Sequence, residues 1–365
     1  MSRFIISGGG TGGHIFPAIS IANALKRLLP EADILFVGAT GRMEMERVPA
    51  AGYSIEGLPI SGLDRKNLFK NIKVLVNLFR SFIMARRIIH QFKPDVVVGV
   101  GGYASAPTLL AANILGIPTV IQEQNSYAGV TNKFLAKKAS CICVAYEGME
   151  RFFPKDKIVL TGNPVRQELL FIEPKKKEAY EFFGFQPNKK TLLILGGSLG
   201  ARTINESVIS HLEELAQSDI QIIWQTGKYY LNEALKIAEK FLSPTFMITD
   251  FISRMDFAYA IADLVVSRAG ASSISELSLL SKAAILVPSP NVAEDHQTKN
   301  ALALVKKEAA IMIKDAEAKN TLIPRALEII NDENQLKKLS QNIKQFAHKD
   351  ADELIAKEII SLIKT

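Results

Sequence analysis

An apolar run, Phe4-Ile5-Ile6, leads into Gly8-Gly9-Gly10-Thr11-Gly12-Gly13-His14, and a helical pattern through Ala18, Ile19, Ile21, Ala22, Leu25 and Leu28 follows. This is strand, glycine-rich turn, helix, the opening unit of a parallel α/β sheet. Five glycines within six residues let the backbone take positive φ and let a bulky group approach the main chain. Amide N–H groups at the helix start favour a negative charge, so phosphate is the first expectation, with a bare βα turn as the plain alternative. The spacing Gly8-x-Gly10-x-x-Gly13 matches the dinucleotide fingerprint. His14 stands where a general base would be useful, or simply serves as a donor at the helix start.

The next strand, Ile34–Gly38, argues against a nicotinamide cofactor. Such a site carries an acidic residue near the end of that strand to hold the ribose, and here Gly38-Ala39-Thr40-Gly41 occupies the place. The pattern then restarts in the second half. Thr191–Leu195 reads as a strand, Gly196-Gly197-Ser198-Leu199-Gly200 as a glycine turn, Ile204 to Leu215 as a helix and Ile220–Trp224 as a strand. The interval from Gly9 to Gly38 nearly equals that from Gly197 to Gly227. This predicts an α/β protein of two Rossmann-like domains facing across a cleft, which 365 residues accommodate. The expected boundaries are 1–163 and 164–340, joined through the turn-rich Thr161–Arg166, with a helical tail over 341–365 packing back on the first domain.

A net charge of +7 favours anionic partners: nucleic acid, phosphorylated substrates or an acidic membrane surface. Two cysteines, Cys141 and Cys143, are too few for a disulfide framework or a cysteine metal site and fit a reducing cytosol. No secretory signal precedes the glycines. Val96–Gln122 carries no charge, yet Gly99, Gly101, Gly102, Pro107, Gly116 and Pro118 interrupt it. It reads as strand 96–100, helix 107–115 and strand 118–122 inside a buried sheet, not as a membrane span.

Residues 60–94 hold an apolar-basic helical pattern. Lys66, Lys70, Lys73 and Arg80 cluster on one side, and the apolar residues spread over roughly 220°, against about 100° for an ordinary core-facing helix. One reading is a helix buried on two sides by loops. The other is a membrane-interface patch of Leu68, Leu75, Phe79, Phe82 and Ile83 rimmed by basic residues. Elsewhere, Gln122-Glu123-Gln124-Asn125 follows a strand end, as a ligand site or as a cap for the next helix. Ser272 and Ser273 read as helix caps and Glu276 as a first-turn residue suited to the helix dipole. Asp350-x-Asp352 reads as solvated helix surface, and His90, His211 and His348 as residues of helical, charged stretches. No His, Cys or carboxylate cluster has metal-ligand spacing.

Gly9-Gly10-Thr11-Gly12-Gly13-His14, Gly101-Gly102-Tyr103, Glu123-Gln124-Asn125, Gly162-Asn163-Pro164-Val165-Arg166, Gly196-Gly197-Ser198 and Ser275-Glu276 resemble, in order and spacing, the motifs of the MurG family. These are the N-acetylglucosaminyltransferases of bacterial peptidoglycan synthesis, and the resemblance covers essentially the whole chain. It implies a GT-B fold and inverting transfer of GlcNAc from UDP-GlcNAc to the C4 hydroxyl of MurNAc in polyprenyl-linked lipid I, giving lipid II and UDP. It implies no metal or other cofactor and no nucleic acid. It also implies a peripheral place on the cytoplasmic face of the inner membrane, against anionic lipid, with other cell-wall synthesis proteins as candidate partners.

By the same resemblance Thr11, Gly12, Gly13, Asn125, Arg166 and Ser198 would contact the donor. So would Ile252, through its backbone on the uracil, and the run Ala271, Ser272, Ser273, Ile274, Ser275 and Glu276, with Glu276 on the ribose hydroxyls. Gln297 matches a donor-binding glutamine, while Leu199 and His296 stand where some members carry Gln. An inverting displacement needs a base near the attacking hydroxyl, for which His14 is the candidate, and positive potential near the departing pyrophosphate. The second glycine turn and Arg166 would supply the latter. Two other classes share these features: a UDP-GlcNAc 2-epimerase, which needs no lipid acceptor, and a non-catalytic nucleotide-sugar-binding protein at a membrane.

Overall fold

The structure, a computed structural model, describes residues 1–60, 70–166, 169, 172–197 and 199–363, with the side chains of 70–73, 173 and 293 left aside. The chain divides into two compact units, Met1–Val165 with His348–Thr365, and Arg166–Ala347.

The first unit runs β1 (Arg3–Ser7), α1 (Gly12–Leu28), β2 (Asp33–Ala39), α2 (Glu44–Ala50), β3 (Ser54–Leu58), α3 (Lys70–Phe92), β4 (Val96–Gly99), α4 (Ser105–Ile114), β5 (Thr119–Glu123), α5 (Val130–Leu135), β6 (Cys141–Val144) and β7 (Ile158–Leu160). Its parallel sheet has the order β3-β2-β1-β4-β5-β6-β7, with Phe4 opposite Ile34 on one side and Val96 on the other. Alternation along each strand divides the core. Phe4, Ile6, Val96 and Val98 pack with α1 on one face, and Ile5, Val97 and Ile121 pack with α3 and α4 on the other. Burial on both faces is why these strands read as continuous apolar runs rather than as alternating ones.

The second unit runs α6 (Lys176–Phe183), β8 (Thr191–Leu195), α7 (Arg202–Ser210), α8 (Leu212–Gln217), β9 (Gln221–Gln225), α9 (Leu231–Ala238), β10 (Phe246–Thr249), α10 (Met255–Ile261), β11 (Leu264–Ser267), α11 (Ala271–Leu279), β12 (Ala283–Leu286), α12 (His296–Val305), β13 (Ile311–Met312), α13 (Asp315–Ile330) and α14 (Glu333–Ile343). Its parallel sheet has the order β10-β9-β8-β11-β12-β13, the same winding as the first around its own first strand. The single helix expected over 204–215 is two, broken at His211. The core gathers Leu192, Ile194, Trp224, Leu264 and Val266 with α7, α13 and α14. Trp224 is fully buried, and its Nε1 donates to Asn205 Oδ1 at 3.0 Å.

The last helix, α15 (Ala351–Ser361), belongs to the first unit and lays Ile355, Ala356 and Ile359 against the α1 face. Here the solvated-surface reading of Asp352 fails. Asp352 is 3% exposed, and Arg27 Nη2 donates to it at 2.7 Å. The buried carboxylate is tolerated because a cation meets it. His348 is likewise in no helix. It stands between the last two helical stretches, where a Cβ on Gly162 (φ +80°) would lie 2.3 Å from its Cβ and Cγ.

The broad apolar arc of α3 resolves into two faces. Ala85 and Ile89 are buried, and Phe82, Ile88 and Phe92 pack against the same core. Leu75, Phe79 and Ile83, spaced four apart, form an outward stripe at 60%, 65% and 51% exposure. Phe82, expected on the patch, is therefore half-buried on the inward face: it precedes Ile83 by one residue, which turns it about 100° around the helix from that side chain. Leu68 and Lys66 lie outside the described residues.

Candidate functional site

Ligands of doubly wound sheets bind beyond the carboxyl ends of the strands, where the strand order reverses. In the first unit that point lies between β1 and β4, and the turns after these strands are built around each other. Gly9 N–H donates to the Gly101 carbonyl at 3.3 Å, and a Cβ on Gly102 (φ +88°) would sit 2.4 Å from the Gly9 oxygen. Only glycine permits this approach. His14 enters α1 with Thr11 as the extended residue before the helix and Gly12 and Gly13 as its first turn. The imidazole rests against Gly101, where a Cβ would lie 2.8 Å from Cδ2 and Nε2. His14 Nδ1 is 3.0 Å from the Gly9 oxygen. A carbonyl only accepts, so in the neutral ring Nδ1 carries the hydrogen and Nε2 the lone pair.

Glu44, at the start of α2, was not foreseen. It is 1% exposed, and its carboxylate accepts from Gly10 N–H at 2.8 Å and from Ala39 N–H at 3.0 Å. A negative charge thus already holds an amide of the first glycine turn, which counts against phosphate on that amide. The end of β2 itself carries no acid; the acid arrives five residues later and folds back.

After β5, Glu123 is 2% exposed and accepts from Asn125 N–H (3.1 Å) and Nδ2 (3.2 Å), Gly129 N–H (3.0 Å) and Asn132 Nδ2 (2.8 Å). These contacts bear on the reading of this segment as a cap for the next helix. The bond to Gly129, the residue that caps α5, is a capping contact, and the same carboxylate orients Asn125. Gln122 Nε2 donates to Asn163 Oδ1 at 2.9 Å, and Asn163 Nδ2 to the Gln124 carbonyl at 3.0 Å, tying the Gly162-Asn163 turn to the same strand end.

In the second unit the reversal lies between β8 and β11. The turn after β8 closes through Gly196 N–H to the Gln225 carbonyl at 2.8 Å, and a Cβ on Gly227 (φ +81°) would meet Gly200 N at 2.1 Å. Ser198 lies outside the described residues. After β11, Gly270 is the extended residue before α11, so the helix begins at Ala271. Ser272 and Ser273 are therefore inside its first turn and cap nothing, and Glu276 falls in the second turn, beyond the reach of the dipole argument. Ser272 Oγ is buried with no hydrogen-bond partner among the described residues. Ser275 Oγ donates back to the Ala271 carbonyl at 2.9 Å. Ile274 and Ile252 are buried at 2% and 4% exposure, so neither side chain is open to a ligand.

Glu276 has two firm partners. Arg166 Nε donates to Oε1 at 3.0 Å and Tyr259 OH to Oε2 at 3.1 Å. Arg166 and Glu276, expected at different parts of the donor, are thus bonded to each other. Tyr259 is 1% exposed, and burial followed by the adjacent carboxylate pushes its phenol well above the ordinary tyrosine range. It stays a neutral donor. Sequence spacing offered no signal for it, since 17 residues and a whole strand separate it from Glu276. Gln297 Oε1 accepts from Ser289 N–H at 2.8 Å. Among the described residues no group of three His, Cys, Asp or Glu could hold a metal ion.

Residues 4–144 match the N-terminal domain of glycosyltransferase family 28 and residues 191–355 its C-terminal domain. The chain is 62% identical over 361 residues to the UDP-N-acetylglucosamine--N-acetylmuramyl-(pentapeptide) pyrophosphoryl-undecaprenol N-acetylglucosamine transferase of Parabacteroides distasonis, covering 99% of this chain and 98% of that one. Among solved structures it is similar to MurG of Acinetobacter baumannii, at 28% identity and a TM-score of 0.78 over 99% of this chain and 100% of that one. The UDP-GlcNAc 2-epimerase of Neisseria meningitidis shares the fold, at 15% identity and a TM-score of 0.69 over 99% and 100% of the two chains. With both domain types matched in order and near-complete coverage of a transferase at this identity, the chain belongs to glycosyltransferase family 28, in its MurG group.

Proposed function

We infer that the chain transfers N-acetylglucosamine from UDP-N-acetylglucosamine to N-acetylmuramyl-(pentapeptide) pyrophosphoryl-undecaprenol. The observation that carries this reading is its similarity along the whole chain to transferases of that name. In the reaction the C4 hydroxyl of the muramyl sugar attacks the anomeric carbon, the bond from that carbon to the UDP oxygen breaks, and the configuration inverts. His14 Nε2 takes the hydroxyl proton, since Nδ1 is turned to the Gly9 oxygen. Backbone amides at the starts of α7 and α11, with Arg166, receive the charge that develops on the departing diphosphate. Glu276 and Gln297 hold the donor's ribose and sugar, Ile252 its uracil through the backbone, and Thr11, Gly12, Gly13 and Asn125 the sugar at the other end.

Docking on anionic lipid brings the enzyme to an acceptor whose polyprenyl chain stays in the bilayer. The outward stripe Leu75, Phe79 and Ile83, with Arg80, Arg86 and Arg87 exposed beside it, supports this reading. Each arginine near an anionic leaflet contributes about 1 kcal/mol. No described helix is long and apolar enough to cross a membrane.

The test is radiolabelled UDP-GlcNAc with and without a lipid-linked MurNAc acceptor. Label must move to lipid only when the acceptor is present; epimerised sugar nucleotide without acceptor would reject the reading. His14→Ala should lower turnover by about 10²–10⁴ while changing donor affinity far less. Near wild-type turnover of that variant rules out His14 as the base.

A further inference from the structure

We propose that Glu44 is a positioning residue for His14, acting through the first glycine turn. The proposal rests on the reading of His14 as the base. Glu44 touches no reacting atom in that scheme; it holds the turn whose carbonyl holds the imidazole.

The chain of contacts is continuous. One carboxylate oxygen takes the Gly10 N–H at 2.8 Å, and the other takes the Ala39 N–H at 3.0 Å, at the end of β2. The turn is thereby tied to the neighbouring strand. Gly9, between the carboxylate and the imidazole, is fixed at three points: its N–H on the Gly101 carbonyl, its oxygen on His14 Nδ1, and its Cα against the Glu44 carboxyl. A Cβ on Gly9 (φ +146°) would lie 2.2 Å from the Glu44 carboxyl carbon, and one on Gly38 would lie 2.6 Å from Glu44 Cγ. Both glycines make room for this side chain, which accounts for them without a bound nucleotide.

The chemistry also selects a carboxylate. Both partners are N–H donors, so the site needs two acceptors; glutamine would oppose one donor with another. The Gly9 oxygen then sets the tautomer, with Nε2 as the proton acceptor. Loosening the turn lets the carbonyl drift and the ring lose its orientation, and a misplacement of about 1 Å costs on the order of 10²-fold in rate.

A double-mutant cycle distinguishes this from a general structural role. Turnover and donor KM are measured for the wild type, Glu44→Gln, His14→Ala and the double variant, with the lipid-linked acceptor and below the melting transition of each. The expected result is a fall in kcat of roughly 10–100-fold for Glu44→Gln, donor KM within about twofold, and little further loss once His14 is already alanine. Equal losses in both backgrounds, a loss carried by donor KM, or no loss overturn the proposal. If His14→Ala alone keeps wild-type turnover, the base assignment fails instead, and the two failures are read separately. Should Glu44→Gln not fold, the cycle is run with Glu44→Asp, whose charge remains but whose reach is one methylene shorter, and the same outcomes decide.

Discussion

Replacing Glu276 by alanine separates two effects that the structure superimposes on one carboxylate. Tyr259 is 1% exposed and its hydroxyl donates to Glu276 Oε2 at 3.1 Å, so the substitution leaves a buried donor without that acceptor. An orphaned buried hydroxyl costs about 1–3 kcal/mol. For a unit of this size that is a fall in Tm of roughly 2–12 °C. The Arg166 contact adds less, because the guanidinium is 35% exposed and water can replace its partner. Donor binding is a separate quantity. If Glu276 accepts from the ribose hydroxyls, the lost charge-assisted bonds are worth about 1.5–3 kcal/mol, a weakening of UDP affinity by about 10–150-fold. Calorimetric titration with UDP below the transition reads the second effect, and a thermal melt reads the first. The double change Glu276→Ala, Tyr259→Phe removes the orphan, so it should recover much of the lost Tm while leaving UDP binding weak. Unchanged UDP affinity in folded Glu276→Ala refutes the ribose role; an unchanged Tm refutes the account of Tyr259.

Phe79→Ser should weaken binding to anionic vesicles by up to about tenfold with Tm unmoved, because the ring is 65% exposed. Phe82→Ser should instead lower stability by about 1–3 kcal/mol, measured by denaturant unfolding, because its ring packs on the core; the reverse pattern would show the two faces of α3 misassigned. Gly162→Ala should cost at least about 2 kcal/mol, since it combines φ +80° with a Cβ 2.3 Å from His348, and a melt within a degree of wild type contradicts that packing. Burial holds the His348 imidazole below its ordinary value of 6.5, with Glu147 opposing in part. The folded state therefore prefers the neutral ring. Its contribution is fully present above that value and is lost as pH falls below it towards the folded value, so His348→Gln should flatten the pH dependence of Tm below about 6.5. An unaltered slope excludes His348 as the titrating group.

The order of strands and turns was legible in the sequence because it is written locally. Continuous apolar runs such as Val96–Val98 announce strands buried on both faces, and glycine clusters mark the turns that follow them. The two repeats of that pattern already implied two similar sheets, and His14 stood out because a titratable ring follows glycines. Tertiary structure decided what depends on partners distant in sequence. Residues 60–94 show how wide the apolar arc is, not which stripe has a neighbour; α4 and the sheet assign Phe82 inward, and Phe79 is left outside. Asp352 looked solvated until Arg27, on a helix at the other end of the chain, met it. Glu276 looked like a first-turn residue until Gly270 set the helix start and Arg166 and Tyr259 took its oxygens. Glu44 is the sharpest case. A carboxylate can be buried only where donors converge on it, and Gly10 and Ala39 converge only after the sheet has brought the ends of β1 and β2 side by side.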